Sequence, residues 1–174
     1  MTAESASIHA SAVQVGELAV LIRGPSGSGK SRLAFDLILA GRAGQLPRAT
    51  LVGDDRVHLA TRGGEIWVSP APALAGLIEI RGLGIRGCDH VSEAKLGLVV
   101  DLMAGDAARL PNAEALRVTL NGIELPRVPV GPGVAPFPMV AAALITTNTS
   151  CSGNLSADCV EQIGNHISPT IATD

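Results

Sequence analysis

The chain has 174 residues, 47% of them hydrophobic, which is enough to bury the core of one ordinary domain and short for two. A formal net charge of -3 with only two lysines gives no electrostatic case for wrapping DNA or RNA, so no nucleic-acid partner is expected. No apolar run reaches the roughly 18 residues of a membrane span, and the opening MTAESASIHA lacks the basic and apolar regions of a signal peptide, so the expectation is a cytoplasmic protein with no membrane partner.

The three cysteines, Cys88, Cys151 and Cys159, are spaced for neither a zinc site nor a disulfide framework, in keeping with a reducing compartment. The aromatic residues are Phe35, Trp67 and Phe137 alone, so the core must be packed with Leu, Val, Ile and Ala.

In chain order, residues 15 to 23 read as a buried strand that runs into a glycine-rich turn. From Ser31 to Ala40 the apolar residues recur at helical spacing, and Gly41 is expected to end that helix. The stretch 49 to 59 is apolar on both sides of two carboxylates, as though a strand delivered Asp54 and Asp55 to its carboxyl end. Turn residues at 62 to 65 and the run IWVS predict a hairpin.

After a Pro- and Ala-rich connection, Ile78 and Ile80 alternate with Glu79 and Arg81, which suits a half-buried strand ending in a Gly-rich turn. Leu96 to Met103 reads as another strand, and 116 to 125 with Asn121-Gly122 at its centre reads as a β-hairpin. Four prolines between Val128 and Pro138 predict an extended loop, and Met139 to Ile145 can open a helix. This order of elements predicts a mixed α/β domain with a central sheet over residues 1–145, followed by a polar, poorly ordered tail over 146–174.

The segment Gly24-Pro25-Ser26-Gly27-Ser28-Gly29-Lys30-Ser31 fits the phosphate-binding pattern G-x-x-x-x-G-K-[ST], between a predicted strand and a predicted helix. Glycines there let backbone N–H groups converge on phosphate oxygens, and the helix N-terminus adds the positive end of its dipole. Lys30 neutralises the outer phosphates, and Ser31 offers a hydroxyl to Mg²⁺.

A phosphate loop does not say what attacks the phosphorus. A kinase also needs a group to take the proton of the incoming hydroxyl, for which Asp54 and Asp55 are the candidates. Adjacent carboxylates at a strand end point in opposite directions, so one can face the phosphates while the other orients a neighbour. A solvated acidic turn or simple magnesium ligation is the plainer alternative. Glu79 either completes a magnesium site with Ser31 or pairs with Arg81 on the same strand. His9 precedes the phosphate-loop strand and, taken alone, reads as a surface histidine.

Three motifs then coincide in order: GPSGSGKS, VGDDRVHL and LIEIRGLGI. Together they resemble HPr kinase/phosphorylase, the bacterial enzyme family that phosphorylates a serine of the phosphocarrier protein HPr and can reverse the reaction phosphorolytically. LIEIRGLGI is close to the family signature and is the most specific of the three. The resemblance covers roughly residues 8 to 130 and is to the short α-proteobacterial form, which has only the C-terminal catalytic domain. It implies a core akin to phosphoenolpyruvate carboxykinase.

By this resemblance, Asp55 is the base towards the serine hydroxyl and the acid in reverse, Asp54 supports it, and His9 orients the pair. Lys30 holds the phosphates of ATP or pyrophosphate, and Ser31 and Glu79 bind Mg²⁺. Arg81 lies inside the signature, and Arg109 in AARLP stands roughly where the family has a catalytic arginine. HPr is the implied partner, and a homo-oligomer, a hexamer in the family, is the implied assembly. The family's arginine-containing loop PVxxGRN, associated with dephosphorylation, is replaced here by PVGPGVAPF without arginine. The C-terminal helices that help longer members bind HPr are not visible. Two rivals remain from the residues themselves: a phosphate-loop kinase for another substrate, and a non-catalytic nucleotide-binding regulator.

Overall fold

The computed structural model describes residues 6–146; the expected tail, apart from Thr146, and Cys151 and Cys159 lie outside the described residues. The chain starts with β1 (Ala6–Ile8) and β2 (Ser11–Val15), turns at Gly16, and returns as β3 (Leu18–Arg23). The single strand expected over 15 to 23 is therefore the end of one strand and the whole of its neighbour. Gly16 takes φ 63°, a left-handed turn conformation that costs glycine little, and Val15 pairs directly with Leu18.

β3 reads as a continuous apolar run because both of its faces are covered. Val20 and Ile22 pack into one core, Ala19 and Leu21 into another. Helix α1 (Lys30–Arg42) lies on the first of these faces through Leu33, Ala34, Leu37 and Ile38. Gly41 does not end α1 but sits inside it. A Cβ at that position would stand 2.6 Å from the Ala49 backbone nitrogen, so glycine there permits close approach of helix and sheet.

β4 (Ala49–Gly53) leads to the Asp54-Asp55 turn, then β5 (Val57–Arg62) and β6 (Glu65–Pro70) form the expected hairpin. A short 3-10 turn (Pro72–Leu74) precedes the two-stranded ribbon β7 (Leu77–Ile80) and β8 (Gly84–Gly87), where Ile78 is buried and Glu79 exposed. β9 (Ala94–Leu102), β10 (Arg117–Leu120) and β11 (Ile123–Val130) follow, and helix α2 (Pro136–Ile145) closes the first core through Val140. The turn joining β10 to β11 has φ 49° at Asn121 and 77° at Gly122, the double positive-φ geometry expected of an Asn-Gly hairpin.

The proline-rich stretch is not an extended loop throughout. β11 runs through Pro129 to Val130, and α2 starts at Pro136. Past Pro126, β11 is paired to β9 alone, so a residue without an N–H is tolerated on its open side, and Pro136 occupies the first helical turn, where no N–H bond is needed.

The main sheet has nine strands in the order β1-β5-β6-β9-β3-β2-β4, with β11 joined to β9 and β10 to β11. The pairs β3–β9 and β9–β11 are parallel and the other pairs antiparallel, the mixed α/β sheet expected from the sequence. Both cores are aliphatic, with Phe35 and Phe137 only at the margin of the first.

Candidate functional site

The carboxyl end of β3 runs directly into the Gly24–Ser31 loop, and α1 begins at Lys30. Gly24 has φ 152°, and a Cβ on it would lie 2.7 Å from Ser28 Oγ and 3.0 Å from Leu102 Cβ. Gly27 and Gly29 take φ 77° and 95° with open space where a Cβ would stand. Gly29 caps α1 without any side-chain hydrogen bond to the first-turn N–H groups. Pro25, Ser26 and Gly27 form the exposed rim of the loop.

Lys30 is buried and donates from Nζ to the carbonyls of Gly24 (2.9 Å) and Pro25 (3.0 Å), which holds the ammonium over the loop. Burial pushes its pKa below the ordinary lysine value, against the opposing pull of Asp54 and Asp55. Ser28 Oγ is buried and finds no hydrogen-bond partner among the described residues. An orphaned hydroxyl and a lysine over a ring of positive-φ glycines fit an anionic phosphate.

Asp54 follows a β-bulge. Ala12 pairs with Gly53 and Val13 with Leu51, which leaves Val52 as the extra residue and re-aims the chain just before the aspartate. Its carboxylate is 3% exposed and accepts three hydrogen bonds: Ser11 Oγ at 2.5 Å and Ser31 Oγ at 2.9 Å on Oδ1, and the Glu79 backbone N–H at 3.0 Å on Oδ2. Asp54 is thus tied to β2, to the start of α1 and to β7. Asp55 goes the other way. It has φ 65°, is exposed, and its Oδ1 lies 3.2 Å from His9 Nε2. The two carboxylates diverge as the sequence leads one to expect, one towards the phosphate loop and the other towards solvent and His9.

Glu79 is exposed, so the cost of a buried charge does not arise on β7. Among the described residues its carboxylate makes no hydrogen bond or ion pair, with Arg81 or otherwise, and it meets Asp54 through its backbone. Arg81 stands exposed in the turn between β7 and β8. Arg109 is exposed on the loop between β9 and β10, and no hydrogen bond or ion pair joins it to His9, Lys30, Asp54 or Asp55. No group of three or more His, Cys, Asp or Glu side chains able to hold a metal occurs among the described residues. Magnesium does not require one: it is commonly held by one or two protein oxygens together with phosphate oxygens and water, and the hard donors Ser31 and Asp54 fit that chemistry.

Two features escape the sequence reading. Ser11, fully buried, is one. The other is an ion-pair chain on the sheet face opposite α1, where Arg23 Nε (2.7 Å) and Arg127 Nε (2.6 Å) both reach Asp101. Arg127 goes on to Asp106 at 2.6 Å and to the Ala115 carbonyl at 2.9 Å, so it spans both ends of the loop between β9 and β10. Burial works against the Asp101 carboxylate, but hydrogen bonds from Arg23 and Arg127 outweigh it and hold its pKa below the ordinary 3.8. Among the described residues no helix is long and apolar enough to cross a membrane.

A mixed sheet whose glycine-rich loop runs from strand into helix, with a buried aspartate beneath the loop's serine, defines an α/β domain whose loop carries the pattern that binds phosphate in other proteins. The family model of the HPr Serine kinase C-terminal domain matches residues 1–163, and the chain belongs to that family. It is 34% identical over 138 residues to HPr kinase/phosphorylase of Streptococcus thermophilus, covering 72% of this chain and 42% of that one. It is 30% identical over 178 residues to HPr kinase/phosphorylase of an Exiguobacterium species, covering 94% of this chain and 55% of the relative. The chain thus spans about half the length of these curated relatives. Among solved structures, that of the Hpr(Ser) kinase/phosphatase from Coxiella burnetii aligns with a TM-score of 0.64 at 24% identity, covering 80% of this chain and 93% of that one, a likeness of fold.

Proposed function

We propose that this chain is a Mg²⁺-dependent protein serine kinase that transfers the γ-phosphoryl group of ATP to a serine of HPr in the cytoplasm. The observation that carries the reading is the divergent carboxylate pair: Asp54 hydrogen-bonded to Ser31 of the phosphate loop, and Asp55 exposed and paired with His9. In this reading one carboxylate serves the cation and the other the proton.

In this reading the glycine N–H groups, Ser28 Oγ and Lys30 receive the phosphates. Ser31, with Asp54 behind it and Glu79 from the neighbouring ribbon, would hold Mg²⁺, which supplies charge neutralisation for the phosphoryl oxygens when bound. Asp55 takes the proton of the serine hydroxyl as its oxygen bonds to the γ-phosphorus and the bond to the β-phosphate oxygen breaks, giving phosphoserine and ADP. His9 keeps Asp55 Oδ1 engaged, which leaves Oδ2 to face the serine. Arg81 and Arg109 are proposed as charge-stabilising partners carried on the flanking loops. Pyrophosphate can serve as an alternative donor on the same loop, and phosphate attack on phosphoserine regenerates it in the reverse direction. Assembly as a homo-oligomer belongs to the same proposal.

The test is transfer of phosphate to purified HPr from ATP, and separately from pyrophosphate, with Mg²⁺, comparing the wild type with Asp55→Ala. Transfer by the wild type and none by the variant supports the proposal. No transfer from either donor, with ATP still bound, overturns it in favour of another substrate or a regulatory role.

A further inference from the structure

We infer that Ser11 is a positioning residue that sets Asp54 for the cation held at Ser31; this rests on the phosphate-loop reading proposed above. Ser11 is fully buried on β2, between Ala10 and Ala12, which are themselves fully buried. Packing alone would be served there by alanine. Its hydroxyl has one partner among the described residues, Asp54 Oδ1 at 2.5 Å.

The three donors to Asp54 are not equivalent. The Glu79 N–H is fixed by the backbone of β7 and reaches Oδ2 only. The Ser31 hydroxyl reaches Oδ1, but its oxygen is the candidate cation ligand and must be free to turn a lone pair outward. Ser11 is therefore the donor to Oδ1 that has no second partner to serve. With Oδ1 held, a cation on Ser31 Oγ leaves the serine proton directed at Asp54, and the hydroxyl is oriented before the cation arrives. Without Ser11, a carboxylate that is 3% exposed loses a buried donor and is free to rotate about its terminal torsion.

The same short segment engages both aspartates, with His9 on Asp55 and Ser11 on Asp54. The two roles separate experimentally, because the inference places the effect of Ser11 on cation binding and not on proton transfer.

Calorimetric titration of ADP into wild type and Ser11→Ala, with Mg²⁺ and with EDTA, tests this. The expected result is unchanged affinity for metal-free ADP and a loss of about tenfold or more in the affinity gained from Mg²⁺, the usual scale for a group behind a metal ligand. Ser11→Cys, which keeps the side-chain shape at slightly larger size and offers a weak donor, should show the same selective loss, and it decides the matter if the alanine variant does not fold. An unchanged magnesium gain in a folded variant overturns the inference. So does an equal loss with and without metal, which would make Ser11 a packing residue. Wild-type protein that binds no ADP at all instead removes the phosphate-loop reading, and the inference with it.

Discussion

His9 Nε2 lies 3.2 Å from Asp55 Oδ1, and both side chains are largely exposed, at 45% and 64%. A contact this open contributes little to stability, so the proposed function gives it the task of placing one carboxylate where an incoming hydroxyl would reach it. Asp55→Asn is expected to lower phosphoryl transfer by about 10²–10⁴-fold while ADP binding and the melting temperature stay near wild type. His9→Gln should reduce transfer less. Parallel kinetics, ADP titration and thermal melts check this, and a large fall in melting temperature for Asp55→Asn would count against a purely chemical role.

In the proposed function Lys30 serves binding, not proton transfer. Among the described residues its ammonium is the one cation held over the loop by the loop's own carbonyls, and desolvation makes it costly unless an anion repays it. Lys30→Met should therefore weaken ATP and pyrophosphate alike by at least about tenfold, while relieving part of the burial cost in the free protein. Titration of each ligand measures the first effect and thermal melts the second. Weakening of ATP alone would place the lysine on the nucleoside side.

The Arg127–Asp101 pair is a matter of stability. Arg127→Met leaves Asp101 with Arg23 alone and releases Asp106 and the Ala115 carbonyl, at a cost of about 2–3 kcal/mol, below the roughly 3–5 kcal/mol of a fully uncompensated buried charge. The pH dependence follows in sign. Because the folded-state pKa of Asp101 is depressed, its contribution is present above the unfolded value and is lost as pH falls through the folded one. Removing Arg127 raises the folded value towards the unfolded one, so the Asp101 contribution to acid destabilisation shrinks, and stability should fall less steeply with acid in the variant than in the wild type. Thermal melts from neutral pH downward show whether it does.

The phosphate-loop pattern, the Asp pair and the hairpins at Gly63-Gly64 and Asn121-Gly122 are legible in the sequence because each is a local signal: a spacing, a strand end, or a doublet that takes positive φ. The end of α1 is not, because Gly41 carries the usual signal for a helix end, whereas its actual role depends on β4 approaching from elsewhere in the sequence. Ser11 carries no signal of its own in the sequence until the bulge at Val52 brings Asp54 beside it. Arg127 sits between prolines, and nothing local marks Asp101 as its partner. Contacts made across the sheet are what a single sequence conceals, and the supporting groups of this site are all of that kind.

The phosphate loop itself yields a comparison between two of its glycines. At Gly27, with φ 77° and open space where a methyl group would stand, alanine brings backbone strain alone, about 1–2 kcal/mol for a left-handed residue. At Gly24 alanine adds a methyl 2.7 Å from Ser28 Oγ and 3.0 to 3.1 Å from Leu102, so either the loop or the end of β9 must move. Displacing Ser28 removes the orphaned hydroxyl from the phosphate cradle, and displacing Leu102 disturbs its parallel pairing with Val130 of β11. Gly24→Ala should therefore lose ADP affinity out of proportion to its loss of stability, whereas Gly27→Ala should lose stability by the strain term. Measuring melting temperature and ADP affinity for both variants separates crowding from strain, and equal behaviour of the two would mean that Ser28 does not contribute to the cradle.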